Sequence, residues 1–222
     1  MPIGTVLLVV LAVLVYFGLA HRALDRMRLS DRAALLMIGL LLVGSWLNLT
    51  LVRQPVRLTV NVGGALVPLG IAAYLLAGAD SNERVRSIGG AVVTAGAVYG
   101  LGKLMPAEPT QMAFVDPVYL FALAAGAIAY LVGRSRRAAF VAAVLGVVLA
   151  DVVHYLELVR TRIPGHTWVG GAGAFDSVVI AGVLAVFLAE VVGEVRERAT
   201  AQVGEESDGA AAEGEEVSRG ET

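Results

Sequence analysis

Asp151 and His154 stand in the run Leu149-Ala150-Asp151-Val152-Val153-His154-Tyr155-Leu156, and Asp176 closes the run Val169-Gly170-Gly171-Ala172-Gly173-Ala174-Phe175-Asp176. Both runs are otherwise apolar. An ionisable side chain at the centre of a bilayer costs at least about 2.5–3.5 kcal/mol, so its presence points to function. Asp151 and His154 are three residues apart and share a helical face. Two carboxylates facing each other in a low dielectric do not both ionise, and the pair holds a proton. That chemistry serves a proton- or cation-coupled solute site. It serves equally an aspartyl dyad, with Asp151 and Asp176 as general base and general acid on water. The structural alternative pairs Asp151 with His154 and makes Asp176 the N-cap of its helix.

The second signal is glycine. Asn61-Val62-Gly63-Gly64-Ala65-Leu66-Val67-Pro68 and the stretch containing Gly171 and Gly173 break two otherwise apolar runs. Irregular backbone within a membrane is tolerated where it lines a cavity or is buried in protein, and broken helices of this kind build transporter sites. Asn61, Gly63, Gly64, Gly171 and Gly173 therefore join Asp151, His154 and Asp176 as candidate substrate- or ion-binding positions. The alternative is close packing at small residues, as expected of Gly96 and Gly100. Asp151, His154, His166 and Asp176 have the donor types of an N/O metal site, but His166 falls in a loop and no metal is assigned. Gly171-x-Gly173 lacks a third glycine and a preceding strand, so it is no dinucleotide fingerprint. No cofactor and no nucleic-acid partner is expected.

Composition dictates the elements that position these residues. Of 222 residues, 57% are hydrophobic and only 16% charged, with a mean hydropathy of +0.76. A soluble domain carries about 25% charged residues. The chain contains no cysteine, which removes disulfides, thiol nucleophiles, Fe–S clusters and cysteine-ligated zinc together. Apolar runs long enough to cross a hydrocarbon core about 30 Å thick predict seven helical spans: Ile3–Ala20, Ala33–Val52, Leu58–Ala79, Ser87–Gly102, Pro117–Gly133, Ala138–Val159 and Val169–Ala189. Asp151 and Asp176 then share a depth of about 12–14 Å below the outer surface, at 1.5 Å per residue. Glu157 and Glu190 lie close to span ends, where snorkelling serves them.

Alternate connections hold 12 and 5 basic residues, which places the N-terminus outside and the tail in the cytoplasm. The tail, 193–222, carries nine acidic and three basic side chains and no apolar period, and is expected to be disordered. The expectation is an all-α polytopic bundle of the cytoplasmic membrane over residues 1–192, with that tail appended. Its partners are the lipid bilayer and a small solute, proton or cation. Its oligomeric state is not legible.

Asn61–Pro68, Leu149–Leu156 and Val169–Ala189 resemble a family of small prokaryotic multi-pass membrane proteins classed as domain of unknown function sixteen-fourteen. Leu149, His154 and Ser177 stand where that family tends to have Gly, Asn and Gly. The resemblance implies membrane location and lends no activity. A weaker similarity links Asp151 and Gly173-Ala174-Phe175-Asp176 to intramembrane aspartyl proteases of the presenilin and prepilin-peptidase type. Their Gly-x-Gly-Asp pattern is broken here and no Pro-Ala-Leu follows, so the reading leans away from an enzyme. A non-catalytic membrane scaffold is the third alternative.

Overall fold

The computed structural model describes residues 31–104, 117–173 and 176–193. The chain divides into two units, Met1–Ala189 and Glu190–Thr222, and of the second only the helical residues 190–193 are described. The expected first span, Ile3–Ala20, and the acidic tail beyond residue 193 lie outside the described residues.

In chain order, the elements are helix α1 (Asp31–Gly44), strands β1 (Asn48–Val52) and β2 (Arg57–Asn61), a π-helical turn (Val62–Leu66), and helices α2 (Val67–Ala77), α3 (Ser81–Leu104), α4 (Pro117–Gly133) and α5 (Arg136–Thr161). Strand β3 (His166–Val169) and helix α6 (Ser177–Gly193) follow. The architecture is mainly helical. By length and composition, α5 is long and apolar enough to cross a membrane, and four further helical stretches are apolar but shorter.

The helices pack through small residues. Ala138, Ala142, Gly146 and Ala150 recur every fourth position on α5 and are buried. Against them lie Gly90, Ala91, Thr94 and Ala95 of α3. A Cβ on Gly146 would stand 2.6 Å from Thr94 Cβ, and one on Gly90 would stand 2.8 Å from Ala142 Cβ. Position 90 meets 142 and position 94 meets 146, so α3 and α5 run parallel. Helix α6 packs against α4 at Gly126 and against Phe140 and Val144 of α5 at Gly182. Where water does not drive association, close van der Waals approach at such residues replaces it.

One end of the bundle is tied by charge. Arg137 pairs with Glu83 (3.2 Å) and donates to Leu75 O (3.0 Å), while Ser135 both caps α5 and donates to Glu83 (2.8 Å). Arg84 donates to Leu76 O and Ala77 O. Two guanidinium groups thus meet the C-terminal carbonyls of α2, where a positive charge is favoured.

Three expectations are corrected. The fold is not all-α: a three-stranded sheet of order β1-β2-β3 occupies the end of the second predicted span, the start of the third and the connection that leads into the seventh at Val169. The strands β1 and β2 pair antiparallel with Asn48 opposite Asn61 and Thr50 opposite Thr59, and β2 pairs parallel with β3, Thr59 opposite Trp168. Asn48 and Thr50 are therefore strand residues, and the predicted helices over Ala33–Val52, Leu58–Ala79 and Val169–Ala189 are shorter than their apolar runs. Finally, Gly96 and Gly100 have open space at their Cβ positions, and the close contacts fall to Gly90 and Gly146 instead. The predicted spans Ser87–Gly102, Pro117–Gly133 and Ala138–Val159 lie within or coincide with helices α3, α4 and α5.

This packing makes a differential prediction for protein in detergent micelles, read by equilibrium unfolding. Gly146→Val forces a branched side chain into Thr94 and lowers stability by about 1–3 kcal/mol. Gly96→Ala is neutral or stabilising, by up to about 1 kcal/mol.

Candidate functional site

Strand β2 runs directly into the π-helical turn, and Asn61 sits at the junction, 1% exposed. Its Nδ2 donates to Ser45 O (2.8 Å) and Asn48 Oδ1 (3.0 Å), and its Oδ1 accepts from Gly64 N (2.7 Å). Both amide hydrogens are used, as burial requires. Val67 N–H closes the turn on Val62 O, five residues back, the wider ring of a π-helix.

The glycines around Asn61 interlock backbone with backbone. A Cβ on Gly63 would collide with Leu41 O and Ser45 N, and one on Gly64 would collide with Gly170 O and stand 2.7 Å from Gly173 O. A Cβ on Gly44 would stand 2.7 Å from Gly63 N, and one on Gly171 2.7 Å from Trp168 Cβ. Gly170 and Gly173 have φ of +70° and +64°, the left-handed region where glycine carries no steric penalty. The two glycine-rich segments, over 100 residues apart in sequence, thus form one knot. Val60, Ala65 and Val169 make a small core beneath it, with Val148 of α5 against them.

Asp176 stands at the N-terminus of α6 and is 8% exposed. Its Oδ1 accepts from Val178 N (3.0 Å) and Ser177 Oγ (3.2 Å), and its Oδ2 accepts from Ala172 N (3.2 Å). This is a helix cap joined to the loop before it. Asp151 differs. It is half-buried on α5 and has no hydrogen-bond partner among the described residues. It lies within electrostatic reach of Asp176. The register agrees: Gly182 meets Phe140 and Val144 while Val148 packs on the cluster that holds Val169, so running back along the chain from Gly182 towards Asp176 is running forward along α5 towards Ala150.

His154 does not pair with Asp151. It is 52% exposed in its side chain, with Nδ1 4.0 Å from Glu157 Oε2. Glu157, set aside from the sequence as a helix-end residue, accepts from Tyr99 Oη (2.8 Å) and is ion-paired with Lys103. The recurrence of ionisable residues at 151, 154 and 157 was the available signal; its partners on α3 carried none. His166 bonds through Nε2 to Thr59 Oγ1 (2.8 Å) and stacks on Trp168 at 4.5 Å. Among the described residues no three His, Asp or Glu side chains are gathered as a metal site.

A family model described as "Protein of unknown function (DUF1614)" matches residues 24–188. The chain belongs to that family. The matched range contains the glycine knot, Asp151, Asp176 and all three strands, so these features belong to the DUF1614 region of the chain rather than to an appendage. No curated protein and no solved structure matches the chain.

The knot and the cap are separable by unfolding measurements. Asn61→Ala leaves Gly64 N and Ser45 O without that partner and lowers stability by at least about 1–3 kcal/mol. Asp176→Ala removes a cap and costs about 0.5–2 kcal/mol, whereas Asp176→Asn, which keeps an acceptor oxygen, costs less.

Proposed function

We propose that this DUF1614 protein is a multi-pass protein of the cytoplasmic membrane that carries a proton or a small cation past Asp151. The observation that carries the reading is a half-buried carboxyl on the most apolar long helix, α5, with no hydrogen-bond partner among the described residues and with a second carboxyl, Asp176, in electrostatic reach. A carboxyl in such surroundings is retained where it binds and releases a cation.

Membrane residence is supported by the surface. Leu36, Val43, Val85, Leu131 and Phe187 are each more than 60% exposed, and Trp46 is 89% exposed. A soluble monomer rarely presents apolar area on that scale. The 17-residue helices α4 and α6 reach about 25 Å, close to the thickness of a hydrocarbon core. The N-terminus is outside in this reading, so Arg84 and Arg137 face the cytoplasm and the sheet faces out. Because the chain has no cysteine, single cysteines report topology directly. Ile163→Cys is expected to react with an impermeant maleimide in intact cells, and Asn82→Cys only after permeabilisation; the reverse pattern inverts the orientation.

In this reading Asp151 is the group that changes protonation, with His154 one turn away. Asp176 is the fixed neighbour whose charge disfavours a second permanent charge. Asn61, Gly63, Gly64, Gly171 and Gly173 form the rigid wall beside the site, since the Asn61 amide is fully bonded within the protein and protein atoms crowd each glycine where a side chain would stand. That filling also favours a second reading, a non-catalytic membrane scaffold. The protease reading is less well supported, because both oxygens of Asp176 accept hydrogen bonds from its own segment and are poorly placed to activate water.

The test is proton and monovalent-cation flux into proteoliposomes. Asp151→Asn is expected to abolish flux, and Asp176→Asn to reduce it. Flux equal to wild type in both variants, or no flux in folded wild type, removes the transport reading and leaves the scaffold.

A further inference from the structure

How protons reach Asp151 is a question that rests on the reading above. Asp151, His154 and Glu157 stand at three-residue steps on α5. Each step rises about 4.5 Å and turns back about 60° around the axis, so His154 neighbours both acids on an oblique row from the half-buried level of Asp151 to the helix end near Thr161. His154 Nδ1 and Glu157 Oε2 are 4.0 Å apart, and their side chains are 52% and 31% exposed. A bridging water or a small rotation spans such a gap. Glu157 is itself held from the neighbouring helix α3, by Tyr99 Oη at 2.8 Å and by the ammonium of Lys103. Two donors therefore fix a carboxylate that faces the imidazole, while Asp151 on the other side of His154 has no donor among the described residues.

We infer that His154 relays protons between outer water and Asp151, and that Glu157, fixed by Tyr99 and Lys103, is the positioning residue that orients the imidazole. In the inward step an N–H bond of the imidazolium breaks, a water between the two side chains takes that proton while giving up another, and an O–H bond forms on the Asp151 carboxylate. Two charges are cancelled, and the neutral imidazole takes its next proton from hydronium, leaving water. Histidine suits this because its ordinary titration range lies near physiological pH. Glu157 has no part in the transfer itself.

The test uses the full-length protein in proteoliposomes with an enclosed pH dye and an acid step on the outer face. His154→Ala is expected to slow acidification by about tenfold or more, and external imidazole to restore it. Glu157→Gln slows it too, whereas Glu157→Asp, which keeps the charge, recovers most of the rate. Asp151→Asn is inactive and imidazole does not restore it. If His154→Ala and Glu157→Gln match wild type while Asp151→Asn is inactive, the relay is overturned and the reading of Asp151 stands; if Asp151→Asn also conducts, both fall. A second measurement covers variants that insert poorly: in the folded fraction in detergent, the infrared carbonyl band that Asp151→Asn removes is followed after an acid step. His154→Gln is expected to slow its appearance about tenfold, and an unchanged rate overturns the relay.

Discussion

The interaction on which the rest depends is the backbone-to-backbone contact organised by Asn61. A strand, a π-helical turn and a glycine loop more than 100 residues later approach so closely that no side chain fits between them, and one buried amide supplies both donors and an acceptor to the junction. An apolar environment offers backbone groups no alternative partner, so irregular chain survives there only if protein satisfies it. The sheet does this on one side and the Asp176 cap on the other. Helix α5 passes the knot at Val148, and Asp151 follows within one turn.

That arrangement divides the polar residues into two kinds. Asn61, Asp176, Glu83 and Arg137 each have partners within hydrogen-bond or ion-pair distance, and their role is to hold elements together. Asp151 has none among the described residues, and His154 has only a distant carboxylate. A static framework surrounding an unsatisfied carboxyl is the physical core of the functional proposal. Much of what makes the glycine motifs conspicuous is spent on the framework.

The helices α3, α4 and α5 are legible because apolar runs bounded by charges mark helices of that length regardless of how they pack. The hairpin of the sheet also leaves a local trace in the sequence. Asn48-Leu49-Thr50-Leu51 and Arg57-Leu58-Thr59-Val60 alternate polar and apolar residues about Gln54-Pro55, a hairpin signal that a long hydropathy window averages away. The parallel pairing of β3 with β2 was not legible, since nothing local to His166–Val169 names its partner. The same division holds at the candidate site. Spacing puts Asp151 and His154 on neighbouring positions of one face and equal depth places Asp176 nearby, while Glu157 reads as a helix-end residue. Spacing could not show that Asp176 is consumed as a cap, nor that Tyr99 and Lys103 reach Glu157 from a parallel helix.

Helix α2 is fastened at both extremities, to the knot through the π-helical turn and to Arg84 and Arg137 through its last carbonyls. Displacing it would break several polar ties at once. Helices α4 and α6 meet through Gly126, Ala181 and Leu184, a contact made by small and apolar groups. If the bundle alternates between shapes, α2 is therefore the stator, and movement costs less along the contact between α4 and α6.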